Sequence, residues 1–284
     1  DSAPAGGDGT SWEQAFRDVQ DALQRWTTYK NGAEIRIGQG VYYPDRGTLD
    51  RNASFVLPPT QVTSASTLSL VGGYAGFGAA DPNAFSPTAF VTVLSGDLKH
   101  DDKPGFVNRT DNSKTIVLYR PLRNTSILLR GLTISGSHAD PGDYRAGAVV
   151  SPDSDAYYQY VYLKDCVVVG NEPSDDCAAV ASFEQSIELH GCTVRDNRGR
   201  GVYGESTSAW FAQCRIVNNT GGGIDLNWYS SCYASQTIVA GNGKQGLTGE
   251  WPAILASHVY LDTCVVVGNH SGTLPTIAGD WQFQ

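Results

Sequence analysis

Cys166–Asn171 reads CVVVGN, and the same rung returns as Cys192–Asn197 (CTVRDN), Cys214–Asn219 (CRIVNN), Thr237–Asn242 (TIVAGN) and Cys264–Asn269 (CVVVGN). Each block has a small residue five places before an Asn and a Val or Ile three places before it. The asparagines fall 26, 22, 23 and 27 residues apart (171 to 197 to 219 to 242 to 269). Short apolar-alternating runs at a period in the low twenties, separated by polar corners, mark a solenoid. A coil this small cannot bury its own inward face, so neighbours must stack and share one core.

The alternation has period two, which is a strand and not a helix. Val161 and Leu163 point in, Tyr162 points out, and the corner Lys164–Asp165 turns the chain so that Cys166 and Val168 point in again. A degenerate first copy runs through Ile127, Leu129, Leu132 and Ile134, with Ser137 where Asn belongs. Third strands are expected at 148–150, 179–181, 201–204, 223–226 and 246–249. Three strands per coil predict an all-β fold, a parallel β-helix. An asparagine at each corner can bond to the backbone and to the amide of the next coil, satisfying groups that the turn leaves unpaired.

These rungs resemble the right-handed parallel β-helix (pectin-lyase-like) superfamily. The segments Gly7–Leu23, Glu34–Asp45, Leu68–Asn83 and Thr92–Asp102 are similar to the secreted bacterial β-helix repeat proteins within it. The resemblance implies a secreted or cell-surface protein that binds or cleaves polysaccharide, with a lyase acting on an acidic glycan as one form. The alternative is a non-catalytic structural or adhesive surface module that self-associates. Fold alone does not name the chemistry.

The 284 residues suit one domain. A capping helix is expected over 10–27, irregular early coils over 33–130, regular coils over 131–272 and a tail over 273–284. Thr10 and Ser11 offer N-caps ahead of Glu13 and Gln14, and Trp12, Phe16, Val19, Leu23 and Trp26 follow at helical spacing. Such a helix would cover the open strand edges at the N-terminal end of the solenoid. The other end has no capping helix; the tail, a further domain or another copy of the chain would have to cover it.

A net charge of −9 argues against nonspecific nucleic-acid binding. No apolar run approaches the roughly 18 residues of a membrane span. The chain begins at Asp1 and reads as a mature or trimmed form. Six cysteines in a secreted chain would suggest disulfides. Here Cys166, Cys192 and Cys214 stack on consecutive rungs with parallel Cβ vectors, wider apart than a disulfide prefers, so a ladder of free thiols is expected.

Two outward surfaces could carry chemistry. Nine residues before each Asn stand Tyr162, Glu188, Trp210, Tyr233 and Tyr260, where Tyr162, Trp210, Tyr233 and Tyr260 could stack on sugar rings or simply on one another. The third strand offers outward Val149, Val180, Tyr203, Asp225 and Thr248, with Arg198 and Lys244 at its corner as substrate contacts. A lyase needs a uronate neutralised and a base for the neighbouring proton, roles that Arg200, Tyr203 and Asp225 could fill. The three-Asp cluster of calcium-dependent pectate lyases is absent from this face. His138, beside Asp140 and Asp143, is a further catalytic candidate. Asp97, Asp101 and Asp102 form an acidic loop that could hold calcium, although Lys99 interrupts the ligand spacing. Outward Val167, Val169, Val265 and Val267 suit a covered or self-associating face.

Overall fold

The computed structural model describes residues 3–26, 33–57, 66–120, 125–152, 160–243, 252–270 and 275–283. It is a parallel β-helix built from three sheets. A regular coil runs Tyr160–Lys164, Val167–Val169, Ala178–Phe183, and the next runs Ser186–His190, Thr193–Arg195, Arg200–Glu205. Each strand pairs in parallel with its equivalent one coil away, as Val161 does with Ile187 and Val168 with Val194. Among the described residues the second sheet has eight strands, one from each coil. The first and third sheets join through Ile254–Asp262, which pairs with the third-sheet strand Ile224–Asn227 and then with the first-sheet strand Ser231–Ser235. The third strand expected over 246–249 lies outside the described residues; Ile254 holds its place in the register, opposite Ile224.

Register explains the core. Leu94, Ile134, Val168, Val194, Ile216, Val239 and Val266 form one inward column on the second sheet. Branched aliphatic side chains stacked at the strand spacing of about 4.8 Å fill the interior without gaps. The corner after the first sheet takes left-handed backbone in coil after coil: Asp165 (φ 53°), Gly191 (63°), Gln213 (56°), Gln236 (48°) and Thr263 (51°). Column geometry fixes that conformation even where the residue is not glycine.

The asparagines align. Asn197 Oδ1 accepts from Asn171 N and Nδ2, both at 3.0 Å, and Asn219 Oδ1 accepts from Asn197 N (3.2 Å) and Nδ2 (2.8 Å). Asn242 and Asn269 continue the chain of amides. Each Nδ2 also donates to a carbonyl of the preceding coil, as Asn219 does to Val194 O at 3.1 Å. Ser137 takes the Asn place in the degenerate copy, its N–H donating to Asn171 Oδ1 at 3.0 Å.

All six cysteines are free. Cys166, Cys192 and Cys214 donate their thiols to Leu129 O, Leu163 O and Leu189 O on the preceding coil.

The N-terminal helix is shorter than 10–27 and runs Val19–Trp26. Residues 11–18 turn instead. Ser11 Oγ accepts from Gln14 N at 3.2 Å, and Trp12 Nε1 donates to Asn83 Oδ1 at 3.0 Å. Its ring leans on Tyr74 at 5.8 Å. The Ser11 bond is the expected cap, but Asn83 and Tyr74 hold Trp12 elsewhere, and the helix starts only at Val19. Val19 and Leu23 still reach the core beside Ile37, Phe55 and Leu57, so the helix covers the first coil. At the other end the tail adds a strand, Ile277–Phe283, parallel to Ile254–Asp262. The second sheet ends at Val265–Val267, where Val265 is 50% and Val267 57% exposed. Among the described residues no helix is long and apolar enough to cross a membrane.

Candidate functional site

The outward row of the first sheet is held by register: Tyr162 pairs with Glu188, Glu188 with Trp210, Trp210 with Tyr233 and Tyr233 with Tyr260. Three of these rings stack on one another. The Trp210 and Tyr233 centroids lie 5.5 Å apart at 10°, and Tyr233 and Tyr260 lie 4.8 Å apart at 3°. The ring planes therefore stand across the long axis of the solenoid. Tyr233 spends both faces on its neighbours, whereas Trp210 spends one.

The other face of Trp210 looks towards Glu188, and beyond Glu188 stands Tyr162. Two strand steps separate Tyr162 from Trp210, roughly 10 Å. A cleft of about 470 Å³ lies along this row, lined by Tyr162, Glu188, His190, Trp210, Tyr233 and Tyr260 among others. A smaller one of about 230 Å³ adjoins it and shares Tyr162 and Glu188 with it, adding Tyr160 and Ser126. Burial and then the Glu188 carboxylate push the Tyr162 hydroxyl above its ordinary pKa. Both flanking charges in the larger cleft, Glu188 and Asp262, are acidic, and among the described residues neither cleft is lined by Lys or Arg. Sequence reading named the row but undervalued Glu188, and it missed His190 and Asp262. Their signal was register, two places beyond Glu188 and Tyr260.

The third-sheet candidates occupy different ground. Val149 and Val180 point into the core, so the outward row is Val150, Ala181, Tyr203 and Asp225. The expected register is one residue short on the two strands that start at Ala148 and Ala179, and it holds at Tyr203 and Asp225. Thr248 and Lys244 lie outside the described residues. Arg200 Nε stands 2.8 Å from Asp225 Oδ2, with side chains 11% and 6% exposed. Arg200 also donates to Asp175 O at 2.7 Å. The Tyr203 hydroxyl donates to Glu205 Oε1 at 2.5 Å, and Glu205 pairs with Arg145 at 3.3 Å. Arg145 lies 3.7 Å over the Phe183 ring. Burial raises the Asp225 carboxyl, and Arg200 offsets part of that rise. Burial and the Glu205 bond push Tyr203 up to about 12. Arg200, Tyr203 and Asp225 are thus brought together, but in a closed, ion-paired layer.

His138 and Arg198 meet elsewhere, on Glu172. His138 Nδ1 lies 2.7 Å from Glu172 Oε2, and Arg198 lies 3.0 Å from Glu172 Oε1. Asp140 is turned to Arg51 at 2.6 Å. In the acidic loop, Asp97 and Asp101 converge with Asp111, one oxygen from each within 4.8 Å of the others. Asp102 is not one of that set; it pairs with Arg109 at 3.0 Å and accepts from Asn112 Nδ2 at 3.0 Å. Calcium takes about six to eight oxygens, more than three monodentate carboxylates supply.

The model of a right-handed β-helix region matches residues 123–273, more than half of the chain. The chain belongs to the right-handed β-helix family. Among solved structures this β-helix is similar to the crystal structure of Escherichia coli YbhC, at 11% identity and a TM-score of 0.52. The likeness covers 93% of this chain and 70% of that one, and at this identity it speaks for the fold alone. No curated protein sequence matches the chain.

Proposed function

We propose that this β-helix is an extracellular or cell-surface glycan-binding protein, and that one sugar ring seats between Tyr162 and Trp210 over Glu188. The supporting observation is the interrupted aromatic stack. A gap of two strand steps accepts one ring at about 5 Å from each neighbour, the spacing that the column itself keeps. Sugar rings offer apolar C–H faces to aromatic rings, and Glu188 offers an acceptor to a hydroxyl.

The charge of the cleft narrows the ligand. Glu188 and Asp262 repel a uronate, and the whole chain carries −9. A neutral or amino-bearing glycan fits, and the acidic glycan expected from the resemblance does not. Binding without cleavage fits better than hydrolysis. Asp262 lies three strand steps across and two residues along from Glu188, roughly 16 Å in all, whereas paired glycosidase carboxylates stand about 5–10 Å apart.

Isothermal calorimetry against neutral, amino-bearing and uronate oligosaccharides tests the reading, with a reducing-end assay alongside. Expected is heat with neutral or amino-bearing chains, none with uronates, and no new ends. Binding of uronates alone, or equal binding after Trp210→Ala, would overturn it.

Half-exposed Val265 and Val267, on the last strand of the second sheet, favour self-association as a second property. Sedimentation velocity would then show concentration-dependent growth that Val265→Lys with Val267→Glu removes.

A further inference from the structure

Two successive corners between the third and first sheets share one short spacing, and the next, at Asn227, departs from it. Phe183, Glu205 and Asn227 are in register, and so are Ser186, Ser208 and Ser231. Two coils cross this corner in three steps, 183 to 186 and 205 to 208, with one left-handed residue each, Glu184 (φ 67°) and Ser206 (φ 50°). The next coil takes four steps, 227 to 231. It carries Trp228 and Tyr229 with φ of 57° and 59°.

The insertion is anchored on both sides. Ser230 is fully buried; its Oγ accepts from Thr207 N at 3.0 Å and donates to Asn227 O. Ser231 N donates to Thr207 O at 3.1 Å, as the column requires. The extra residue is therefore thrown outward, leaving Trp228 69% and Tyr229 94% exposed. Stability explains neither feature. A two-residue turn of this hand selects Asn and Gly, and left-handed backbone is disfavoured for bulky side chains. Two adjacent exposed aromatics also leave their apolar surface in water. Strain and exposure kept together are the mark of a recognition element.

We propose that Trp228 and Tyr229 form a second stacking contact for a longer glycan whose first ring sits in the Tyr162–Trp210 slot. The inference rests on that slot. Tyr229 is four residues from Tyr233, so their Cα atoms lie at most about 14 Å apart. The outward residues between the corner and the aromatic column are Ser186, Ser208 and Ser231, half-buried hydroxyls on adjacent strands. They are small, uncharged and able to donate and accept, which suits sugar hydroxyls crossing from slot to corner. Exposed Trp and Tyr present an apolar face with a polar edge, the pairing that a sugar ring needs.

Two variants test it. One replaces Trp228→Ser and deletes Tyr229, restoring the three-step corner of the upstream coils. The other, Trp228→Asn with Tyr229→Gly, keeps the length and relieves the backbone. Both should match or exceed the parent in thermal midpoint. Both should bind a long neutral oligosaccharide about fivefold more weakly while binding a mono- or disaccharide as the parent does. Trp210→Ala should weaken short and long chains alike. Parental affinity for long chains in both corner variants would overturn the proposal and leave the slot standing. So would a lowered midpoint in both, or loss of self-association with glycan binding intact. Absence of any glycan binding by the parent would remove the slot and this contact together.

Discussion

Tyr233 and Tyr260 lie face to face, 4.8 Å between ring centroids and 3° from parallel, on strands that are neighbours only because 27 residues of chain wind once around the solenoid. That stack is part structure and part site, and the two parts separate by position. Tyr233→Ala breaks two ring contacts and should cost about 1–3 kcal/mol of stability, since each aromatic pair contributes about 0.5–1.5 kcal/mol beyond its buried area. Trp210→Ala breaks one and should cost about half as much, yet it removes a wall of the slot. Urea unfolding beside glycan titration should therefore rank the two variants in opposite orders.

The ladder predicts a gradient along its length. Asn219→Ala strips Asn197 N and Nδ2 of their acceptor and Val194 O of its donor, all buried. The expected loss is about 3–5 kcal/mol, because orphaned buried groups cost about 1–3 kcal/mol each. Asn269→Ala removes an equivalent set at the half-exposed last rung, where water can replace it, and should cost about 1–2 kcal/mol. Equal losses at the two sites, measured by denaturant unfolding, would contradict this account.

Asp225 gives the structure a pH signature. Burial holds its folded pKa above the ordinary carboxylate value, so the folded state binds the proton more tightly than the unfolded chain does. Its contribution is most favourable below the unfolded value near 3.8 and is lost as pH rises through the folded one. Arg200 limits that loss. Arg200→Gln should cost about 3–5 kcal/mol at neutral pH, where a buried carboxylate is left unpaired, and markedly less near pH 4. Stability curves across that range check the slope.

The thiols act at the alkaline end. Burial pushes Cys177 and Cys214 up to about 12, from an ordinary 9.0. Above pH 9 the unfolded chain gives up these protons while the folded chain keeps them. Stability should therefore fall between pH 9 and about 12, and replacing Cys177 and Cys214 by Ala should flatten that limb. At neutral pH a thiol reagent should find Cys264 first, the one half-exposed cysteine, and all six only after denaturation.

Most of this was written in alternation and spacing. The asparagine period named the solenoid, the inward columns and the free thiols, because those features depend on residue i and its equivalent one coil away. The helix start was misread for a physical reason: Ser11 and Trp12 carry a good capping pattern, but Asn83 and Tyr74, some seventy residues on, hold Trp12 elsewhere. The acidic loop was misread likewise, since Arg109 claims Asp102 while Asp111 replaces it.

Sequence by itself determined the coil, its inside and its outside, because a period-two pattern has only two faces and a stacked repeat has one core. Only the tertiary structure decided which outward groups are open. Tyr203 and Asp225 read as exposed chemistry, yet Arg200 lies over the Tyr203 ring and pairs with Asp225; Tyr162 and Trp210 read as two members of a row, yet the shorter Glu188 between them leaves a slot. Openness is set by what neighbouring coils and corners place above a side chain, and that is a property of the wound chain, not of any one strand.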